Sequence, residues 1–500
     1  MFNIITLIPC FLLPLILPAQ KEDYNWILGD VNYNDSVFAT VNINFNRTPA
    51  LIEYIDKRPG FNFVSSSLSD STGRLICFTN GVNIYNKNFE IIENGNDVQN
   101  SEDYPFGFVG TQSTILLPIG NQEFVLISGK IKYYNNAAGG LIGGLLPVFF
   151  YKFSFKDAME TGQVVIRESP IFSDTVNFHG MTAARHANGR DWWVTLLKND
   201  SDKYYKLLVT RNGVKVYDSQ TIGEKIPNGW DHAVFSPDGK WYIRYSWWGN
   251  TITNSHSSIY LYNFDRCSGT LSNFQSYELK DNGPGGVAVS PNSRYLYVSN
   301  WDTIFQYDLK ATNVFATETV VASYDGFHEE DGRPVRFFTP KLAPDNRIYL
   351  CVPNVPSRYL HYIEYPDSAG LACKVVQHGI KLPVYNSNTL PNLPYFRLYE
   401  EDGGPCDTIW KGITDDFIHI KMQPNPGADE VILSMPGDGL PQIGLLRMYS
   451  STGATVLQME VPLKILELDV NTAILANGLY FYELNMNGKQ IAVGKWLKER

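Results

Sequence analysis

The chain has 500 residues, of which 44% are hydrophobic and 14% aromatic, together with 40 glycines and 28 prolines. This composition excludes a disordered chain and favours a globular protein with a large core and many turns. The formal net charge of −10 comes without a cluster of basic residues, which argues against nucleic acid and anionic membrane surfaces as partners.

The first 19 residues predict a signal peptide. The run from Ile4 to Ala19 is apolar and uncharged, and three prolines interrupt it. It is too short and too kinked for a membrane span, and Ala19 is a small residue of the kind found at cleavage sites. We therefore expect a secreted protein that is not an integral membrane protein. A lipoprotein attached through Cys10 is the alternative.

A pattern of strand, turn and strand recurs through residues 20–400. In its clearest copy, from Gly285 to Lys310, strand-like runs flank a turn that begins at Pro291. The polar residue after the turn marks the copies, at Arg74, Gln122, Arg190, Lys240, Arg294 and Arg347. Their spacing suits four-stranded blades with long loops, and helical periodicity is nearly absent. The sequence therefore predicts an all-β fold with a β-propeller over residues 20–400.

Strand-like sequence also lies on either side of these copies, from Tyr24 to Phe45 and from Pro394 to Glu400. Free edge strands would expose unpaired backbone groups, so we expect the N- and C-terminal strands to close the ring in a shared seventh blade. Six or eight blades are alternatives, because the long second copy has room for a further blade.

Residues just before the inner strands of a propeller face its channel, and titratable side chains occur there in two copies, at His179 and at Asp231 with His232. A desolvated His/Asp pair is able to act as a general base, whereas the structural interpretation is that these residues bond between blades. Trp301, in the turn of the clearest copy, offers a stacking platform for a sugar. These four residues are the candidate binding site.

No cysteine and histidine spacing resembles a zinc site, and no phosphate loop or nucleophile elbow is present, so we expect neither a metal nor a cofactor. We interpret the acidic run from His328 to Asp331 as a solvated loop, with calcium binding as the alternative. Five cysteines follow the signal peptide, at Cys77, Cys267, Cys351, Cys373 and Cys406. Cys373 and Cys406 lie in loop-like sequence near the end of the propeller and form the candidate disulfide.

Residues 401–416 are acidic and contain glycine, which is typical of a linker. Residues 417–500 are rich in strand-like runs separated by turn signals such as Asn487-Gly488. This pattern predicts a small β-sandwich.

The motifs of this last unit resemble, in order, the type A C-terminal sorting domain of type IX secretion substrates in Bacteroidetes. The matching residues are Pro424, Asn425 and Pro426 of the opening, Gly453 of a turn, Gly478 and Tyr480 of a strand, and Lys495 of the terminal strand. The resemblance implies an Ig-like sandwich that guides its cargo through the outer membrane. It also implies the type IX secretion machinery as partner and the outer cell surface as destination.

The segments Asn25–Asp30 and Thr389–Phe396 resemble the N-terminal propellers of secreted Bacteroidetes proteins, and Ser290–Asn300 is similar to the YVTN repeat of surface-layer and lactonase-like propellers. These resemblances imply fold and destination, since a fold alone does not define a function. Because no catalytic motif is evident, we predict a binding or scaffold module for a glycan, a peptide or a surface partner. A lactonase- or lyase-like enzyme with a site at the channel mouth is the alternative.

Overall fold

The computed structural model describes residues 20–30, 38–120, 122–135, 141–156, 161–251, 254–280, 282–353, 356–386, 388, 390–401, 421–434, 443–462, 467–486 and 489–499. The chain divides into two compact units, Met1–Tyr399 and Glu400–Arg500. The described residues form β-strands and short 3-10 helices, at Phe315–Thr317 and Gly370–Cys373, and contain no α-helix. None of their helices is long and apolar enough to cross a membrane. The predicted signal peptide and nearly all of the predicted linker lie outside the described residues.

The described residues of the first unit form seven successive antiparallel sheets, each built from strands that follow one another in the chain. The first three sheets comprise β1 (Asn25–Gly29), β2 (Thr40–Asn44) and β3 (Leu51–Ile55); β4 (Ser66–Ser69), β5 (Leu75–Thr79) and β6 (Ile84–Asn86); and β7 (Ile115–Gly120), β8 (Glu123–Asn135), β9 (Leu141–Lys156) and β10 (Thr161–Phe172). The next two comprise β11 (Thr182–Arg185), β12 (Trp192–Leu197), β13 (Ser201–Thr210) and β14 (Gly213–Ile226); and β15 (Trp230–Phe235), β16 (Trp241–Thr251), β17 (Asn254–Asp265) and β18 (Thr270–Glu278). The last two comprise β19 (Gly285–Val289), β20 (Tyr295–Asn300), β21 (Thr303–Asp308) and β22 (Thr319–Ser323); and β23 (Pro340–Leu342), β24 (Ile348–Leu350), β25 (Ser357–Ile363) and β26 (Val375–Asn386).

First strands of neighbouring sheets pack side by side, β4 against β7, β11 against β15, β15 against β19 and β19 against β23. Large apolar side chains from facing sheets fill the spaces between them, and Trp26, Trp192, Tyr242 and Tyr297 are among those fully buried. This arrangement of successive four-stranded and three-stranded sheets confirms the predicted all-β propeller, and we refer to the sheets as blades.

The recurring turn has the same backbone conformation in its copies. The residue just before the marker position has a positive φ, at Gly73 (86°), Gly189 (69°), Gly239 (70°), Ser293 (57°) and Asn346 (65°). Glycine adopts this conformation without steric cost, and asparagine tolerates it better than most residues. The repeat therefore reflects a shared requirement of the turn between the first two strands of a blade.

The two ends of the first unit meet through side chains. Strands β1 to β3 form the first sheet by themselves, and residues 390–401 contain no strand. Pro391 and Pro394 lack the N–H group that a strand ladder needs. Arg397 instead donates to both carboxylate oxygens of Asp23, at 2.9 and 2.6 Å. This closure differs from the predicted shared blade.

The second unit consists of two facing sheets. One comprises β27 (Lys421–Gln423), β28 (Glu430–Ser434) and β31 (Glu467–Asn471), and the other β29 (Ile443–Ser450), β30 (Thr455–Pro462), β32 (Gly478–Met486) and β33 (Lys489–Lys498). Val431 and Leu433 of the first sheet share one apolar core with Met448, Leu484 and Trp496 of the second. Two sheets packed on a common core form a β-sandwich.

The predicted disulfide between Cys373 and Cys406 is wrong, because Cys373 carries a free thiol. Its side chain is fully buried in a core shared by the sixth and seventh sheets, and this burial raises the pKa of the thiol. Cys77 and Cys351 are also free and buried, whereas Cys267 takes part in a disulfide bond. Cys406 lies outside the described residues.

Candidate functional site

Residues 390–399, which we call the channel segment, run into the centre of the propeller. The Asn392 side chain donates to the carbonyl oxygens of Thr114, at 2.9 Å, and Met181, at 3.0 Å. Its backbone N–H donates to Ser65, at 2.7 Å, and its carbonyl accepts from the Ser66 hydroxyl, at 2.9 Å. One residue thus links three blades at their inner edges.

Further contacts cross the channel. The Gln112 side chain donates to the Ala233 carbonyl, at 2.9 Å, and accepts from the Ala233 N–H, at 2.7 Å. The rings of Phe63 and Trp230, from opposite sides of the ring of blades, lie 5.4 Å apart. The remaining cavity has a volume of about 60 Å³. It has room for several water molecules, and His232, Lys341 and Asn392 are among the residues that line it.

The channel segment is also anchored by charged side chains. Lys341 lines the cavity and donates to the Leu393 carbonyl. Burial lowers the pKa of this lysine to about 8. Arg266 donates to the Tyr399 carbonyl at the end of the segment. The cations therefore satisfy backbone carbonyls of a segment that has no strand partner.

Asp231, a predicted site residue, forms an ion pair with Arg244 whose side chains are both fully buried. Arg244 Nε donates to Asp231 Oδ2 at 2.8 Å, and Asn177 donates to the same oxygen at 3.1 Å. Burial raises the pKa of the Asp231 carboxyl group, and the guanidinium opposes that rise. Although burial disfavours the guanidinium charge, the Asp231 carboxylate raises the pKa of Arg244. The pair lies within the fifth sheet, and its bonds with Asn177 and the His179 carbonyl join that sheet to the segment before β11. Both side chains are closed off from solvent.

The two predicted histidines are buried as well. His179 Nδ1 accepts from the Thr111 N–H at 3.3 Å, and its ring stacks on Trp230 at 4.9 Å. His232 Nδ1 accepts from the Val287 N–H, at 3.3 Å, in the next blade. Burial lowers the pKa of both rings to about 3, so they are neutral. The structure brings His179, Asp231 and Arg244 together, but in contacts between blades rather than around an open pocket.

We expect the stability of the propeller to fall as the pH drops below 6.5. An unfolded histidine protonates at its ordinary pKa of 6.5, whereas folded His179 and His232 protonate only near 3 and folded His361 near 4. Between these pKa values the unfolded state binds more protons than the folded state. The free energy of unfolding therefore falls by about 1.4 kcal/mol per pH unit for each histidine. Urea denaturation from pH 7.5 to pH 5 measures this slope, and His232→Gln should reduce it by one proton. An unchanged slope in the variant would contradict the neutral, buried ring.

Trp301, the fourth predicted residue, lies in the two-residue turn between β20 and β21. It has a φ of 42°, which is rare for a bulky side chain. Neighbouring backbone holds the turn, because the Trp301 N–H donates to Pro284 at 3.1 Å and its carbonyl accepts from Phe337 at 2.9 Å. Such strain persists only where the surroundings enforce it, and it is common at ligand sites.

An arginine packs against this turn. The Arg336 guanidinium lies 5.7 Å from the Trp301 ring centre and 5.1 Å from that of Tyr324, and it pairs with Asp302. The turn and Arg336 lie on the face formed by the residues just before β11, β15, β19 and β23, which we call the entry face. Trp301 is partly exposed there, outside the channel.

The described residues contain no group of three or more His, Cys, Asp or Glu side chains placed to hold a metal ion. The carboxylates of Glu329, Glu330 and Asp331 are therefore not gathered around one point. They instead contribute, with Arg358, Lys381 and Tyr385, to a groove that the sequence analysis did not identify. Lys381 and Tyr385 lie in β26 and carry no sequence signal other than their polarity.

In the second unit, the opening motif contacts the last strand. Trp496 Nε1 donates to the Pro424 carbonyl at 2.9 Å, and the Leu497 N–H donates to Asn425 Oδ1 at 2.9 Å. Asn425 also donates to the Lys495 carbonyl at 3.2 Å. Residues about 70 positions apart are thereby joined, which explains why this motif stands at one end of the unit and the lysine-containing strand at the other.

The buried lysine of this strand is Lys498, which the sequence analysis missed. Its side chain is fully buried, and Nζ contacts Asp429 at 3.0 Å and the Thr472 carbonyl at 2.5 Å. Lys495, the predicted residue, is exposed. The alternation of β33 around Trp496 would have identified Lys498 as inward-facing.

Replacing Lys498 by methionine should weaken the attachment of β33. The variant removes the charged hydrogen bond to the Thr472 carbonyl, which keeps only the Leu475 N–H as donor, and the contact with Asp429, at a cost of about 1.5–3 kcal/mol. Hydrogen exchange of the β33 amides in the full chain measures the change, as a roughly tenfold or greater loss of protection. Lys495→Met, on the outward face of the same strand, is the matched control and should leave the exchange unaltered. Equal exchange in the two variants would refute the role of Lys498.

No curated protein matches this chain. Among solved structures, it is similar to a functionally unknown protein from Desulfotomaculum acetoxidans (13% identity, covering 74% of this chain and 99% of that chain, TM-score 0.38). It is also similar to a putative 6-phosphogluconolactonase from Bacteroides uniformis (10% identity, covering 95% of this chain and 100% of that chain, TM-score 0.37). A third similar structure is the periplasmic gluconolactonase of Pseudomonas aeruginosa (11% identity, covering 73% of this chain and 98% of that chain, TM-score 0.32). At this distance we draw no conclusion about activity from these proteins.

Residues 421–499 match the family described as the secretion system C-terminal sorting domain. The match covers both sheets of the sandwich and all of its described strands. The C-terminal unit is therefore a type IX sorting domain, and it directs the propeller to secretion at the cell surface.

Proposed function

We propose that the propeller is a binding module, displayed at the cell surface, that recognises its ligand on its outer surface. The observation that carries this proposal is the filled channel. Gln112 and Asn392 cross it, and about 60 Å³ remain. Ligands bind in open concave sites, and the Gln112 and Asn392 side chains obstruct the cavity at the inner edges of these blades.

The entry face supports the proposal. The connection between β22 and β23 holds the Trp301 turn in place, since the Tyr324 N–H donates to the Asp302 carbonyl at 2.7 Å. The same connection supplies Arg336, which packs between two aromatic rings. Aromatic rings and an arginine, fixed by a rigid scaffold, are typical of recognition surfaces.

The filled channel also counts against a lactonase- or lyase-like enzyme with a site at the channel mouth. His179 and His232 are neutral and enclosed, and Asp231 is committed to Arg244. A general base must reach the proton that it removes. His179 and Asp231 are enclosed by their contacts with Thr111, Asn177 and Arg244. The His232 ring, which lines the channel cavity, uses Nδ1 to accept from the Val287 N–H.

Binding of the purified full-length protein to cell envelopes, to extracted surface polysaccharides and to envelope proteins tests the proposal. We expect saturable binding to one of these fractions, and the same affinity in His232→Gln, because the channel takes no part. Hydrolysis of lactones by the wild type, abolished in His232→Gln, would overturn the proposal in favour of an enzyme. Lack of saturable binding to every fraction would overturn it as well.

A further inference from the structure

A groove with a volume of about 280 Å³ opens beside the last blade of the propeller. It is lined by Glu329, Glu330 and Asp331 of the connection before β23, and by Arg358, Lys381 and Tyr385 of β25 and β26. The groove is thus an open, strongly polar concavity close to the lower end of the size range of ligand pockets, which begins at about 300 Å³.

Part of the lining is fixed in place. Glu329 Oε1 accepts from the Ser357 hydroxyl at 2.7 Å and from the Arg358 N–H at 2.9 Å. The Arg358 side chain donates to the carbonyl oxygens of Leu382, at 3.1 Å, and Pro383, at 3.2 Å. A carboxylate and a guanidinium are therefore positioned before any ligand arrives, which lowers the entropic cost of binding.

Another part of the lining retains unused hydrogen-bonding groups. The Glu330 carboxylate, the Lys381 ammonium group and the Tyr385 hydroxyl make no hydrogen bond or ion pair with the described residues. Lys381 instead lies 5.6 Å from the Tyr359 ring centre, and Arg333 lies 5.0 Å from that of Tyr385. The groove therefore presents acceptors, donors and an aromatic ring at the same place.

The charges of the groove cancel. Three carboxylates, from Glu329 to Asp331, and the two cations Arg358 and Lys381 line it, and Arg333, which lies outside the lining, pairs with Asp331 at 2.7 Å and balances the third carboxylate. Such a site has no net field to attract an ion, and the protein charge of −10 opposes anionic polymers. It suits an uncharged ligand that carries many hydroxyl groups.

We infer that this groove binds an uncharged sugar residue of a glycan. The inference rests on the proposed binding function and names its ligand class. Hydroxyl groups of a sugar both donate and accept, so they are able to bond with the Glu330 carboxylate and the Lys381 ammonium at once. Hydrogen bonds to charged partners are stronger than those between neutral groups, which favours a sugar over water in the groove.

Titration of the full-length protein with neutral oligosaccharides of glucose, mannose, galactose, xylose and N-acetylglucosamine tests the inference. We expect saturable binding of at least one sugar. Glu330→Gln should weaken it about tenfold, since it replaces a charged hydrogen-bond acceptor by a neutral amide. Tyr385→Ala should weaken it at least as much. Tyr365→Ala, which alters a tyrosine that is 51% exposed and does not line the groove, is the matched control.

The outcomes separate the two proposals. Sugar binding that both groove variants leave intact, or binding only of acidic polysaccharides or of peptides, would overturn the groove assignment while a binding module remains. Failure to bind any glycan or envelope fraction would overturn both. If Tyr385→Ala lowers the melting temperature, the sugar affinity of Glu330→Gln decides between the outcomes. Glu330 is exposed and makes no hydrogen bond or ion pair with the described residues, so its substitution should leave the fold intact.

Discussion

Arg244→Met should cost about 3–5 kcal/mol of the free energy of unfolding, the largest effect that we expect from a single substitution in this chain. Arg244 and Asp231 are fully buried, so removing the guanidinium leaves a carboxylate without a compensating charge. Arg244 also contacts the Tyr242 hydroxyl and the His179 carbonyl, at 3.3 Å each. Denaturant unfolding of the purified chain measures the loss.

Two further variants test the reason for this effect. Arg294→Met removes an ion pair with Asp308 from a side chain that is 45% exposed, and it should cost less than about 1 kcal/mol. Adding Asp231→Asn to Arg244→Met should restore part of the stability, because the unpaired buried charge is gone. A double variant as unstable as the sum of its single variants would show that the ion pair is not the cause.

Asn392→Ala should cost about 2–4 kcal/mol and destabilise several blades together. It removes the donor for the buried carbonyls of Thr114 and Met181, and each unsatisfied group costs about 1–3 kcal/mol. Denaturant unfolding measures the loss, and hydrogen exchange at the inner edges of the second, third and fourth sheets shows its extent.

Asn212→Ala is the matched control for this prediction. Asn212 is exposed in the turn between β13 and β14, and its substitution should alter stability by less than about 0.5 kcal/mol. Loss of protection confined to one sheet in Asn392→Ala would contradict a channel segment that joins several blades.

The local structure of the propeller could be predicted from sequence because it depends on neighbouring residues. The run from Gly285 to Asn300 combines a period of two with turn residues, and the structure places β19, a turn and β20 there. The marker residues follow positions of positive φ such as Gly239 and Asn346. The residues of a single copy are enough to predict the conformation of this turn. The recurrence of the copies along the chain then predicts the propeller.

The channel contacts could not be predicted, because they join residues far apart in the chain. Asn392 bonds with Ser65, Thr114 and Met181, and nothing in the sequence around Asn392 identifies those partners. The same limit applies to the candidate site. His179 and Asp231 lie beside the inner strands, and only the structure shows that Arg244 donates to the His179 carbonyl and to the Asp231 carboxylate.

The groove could not be predicted from the sequence either, because its lining residues are far apart in the chain. Glu330 and Lys381 are about 50 positions apart and meet only because β26 returns beside the connection that precedes β23. Charged residues on an exposed surface have no periodicity of their own. A cavity of this kind is a property of the assembled blade and is invisible in any one segment.

The channel segment has a consequence for the biogenesis of the protein. During synthesis the strands of the blades leave the ribosome first, and residues 390–399 follow only after β26. The centre of the nascent propeller therefore lacks Asn392 until the rest of the domain has been synthesised. The residues that direct secretion, 421–499, emerge later still. Every chain that contains the sorting domain therefore also contains Asn392, which joins the blades at the centre. A chain that ends within the propeller contains neither.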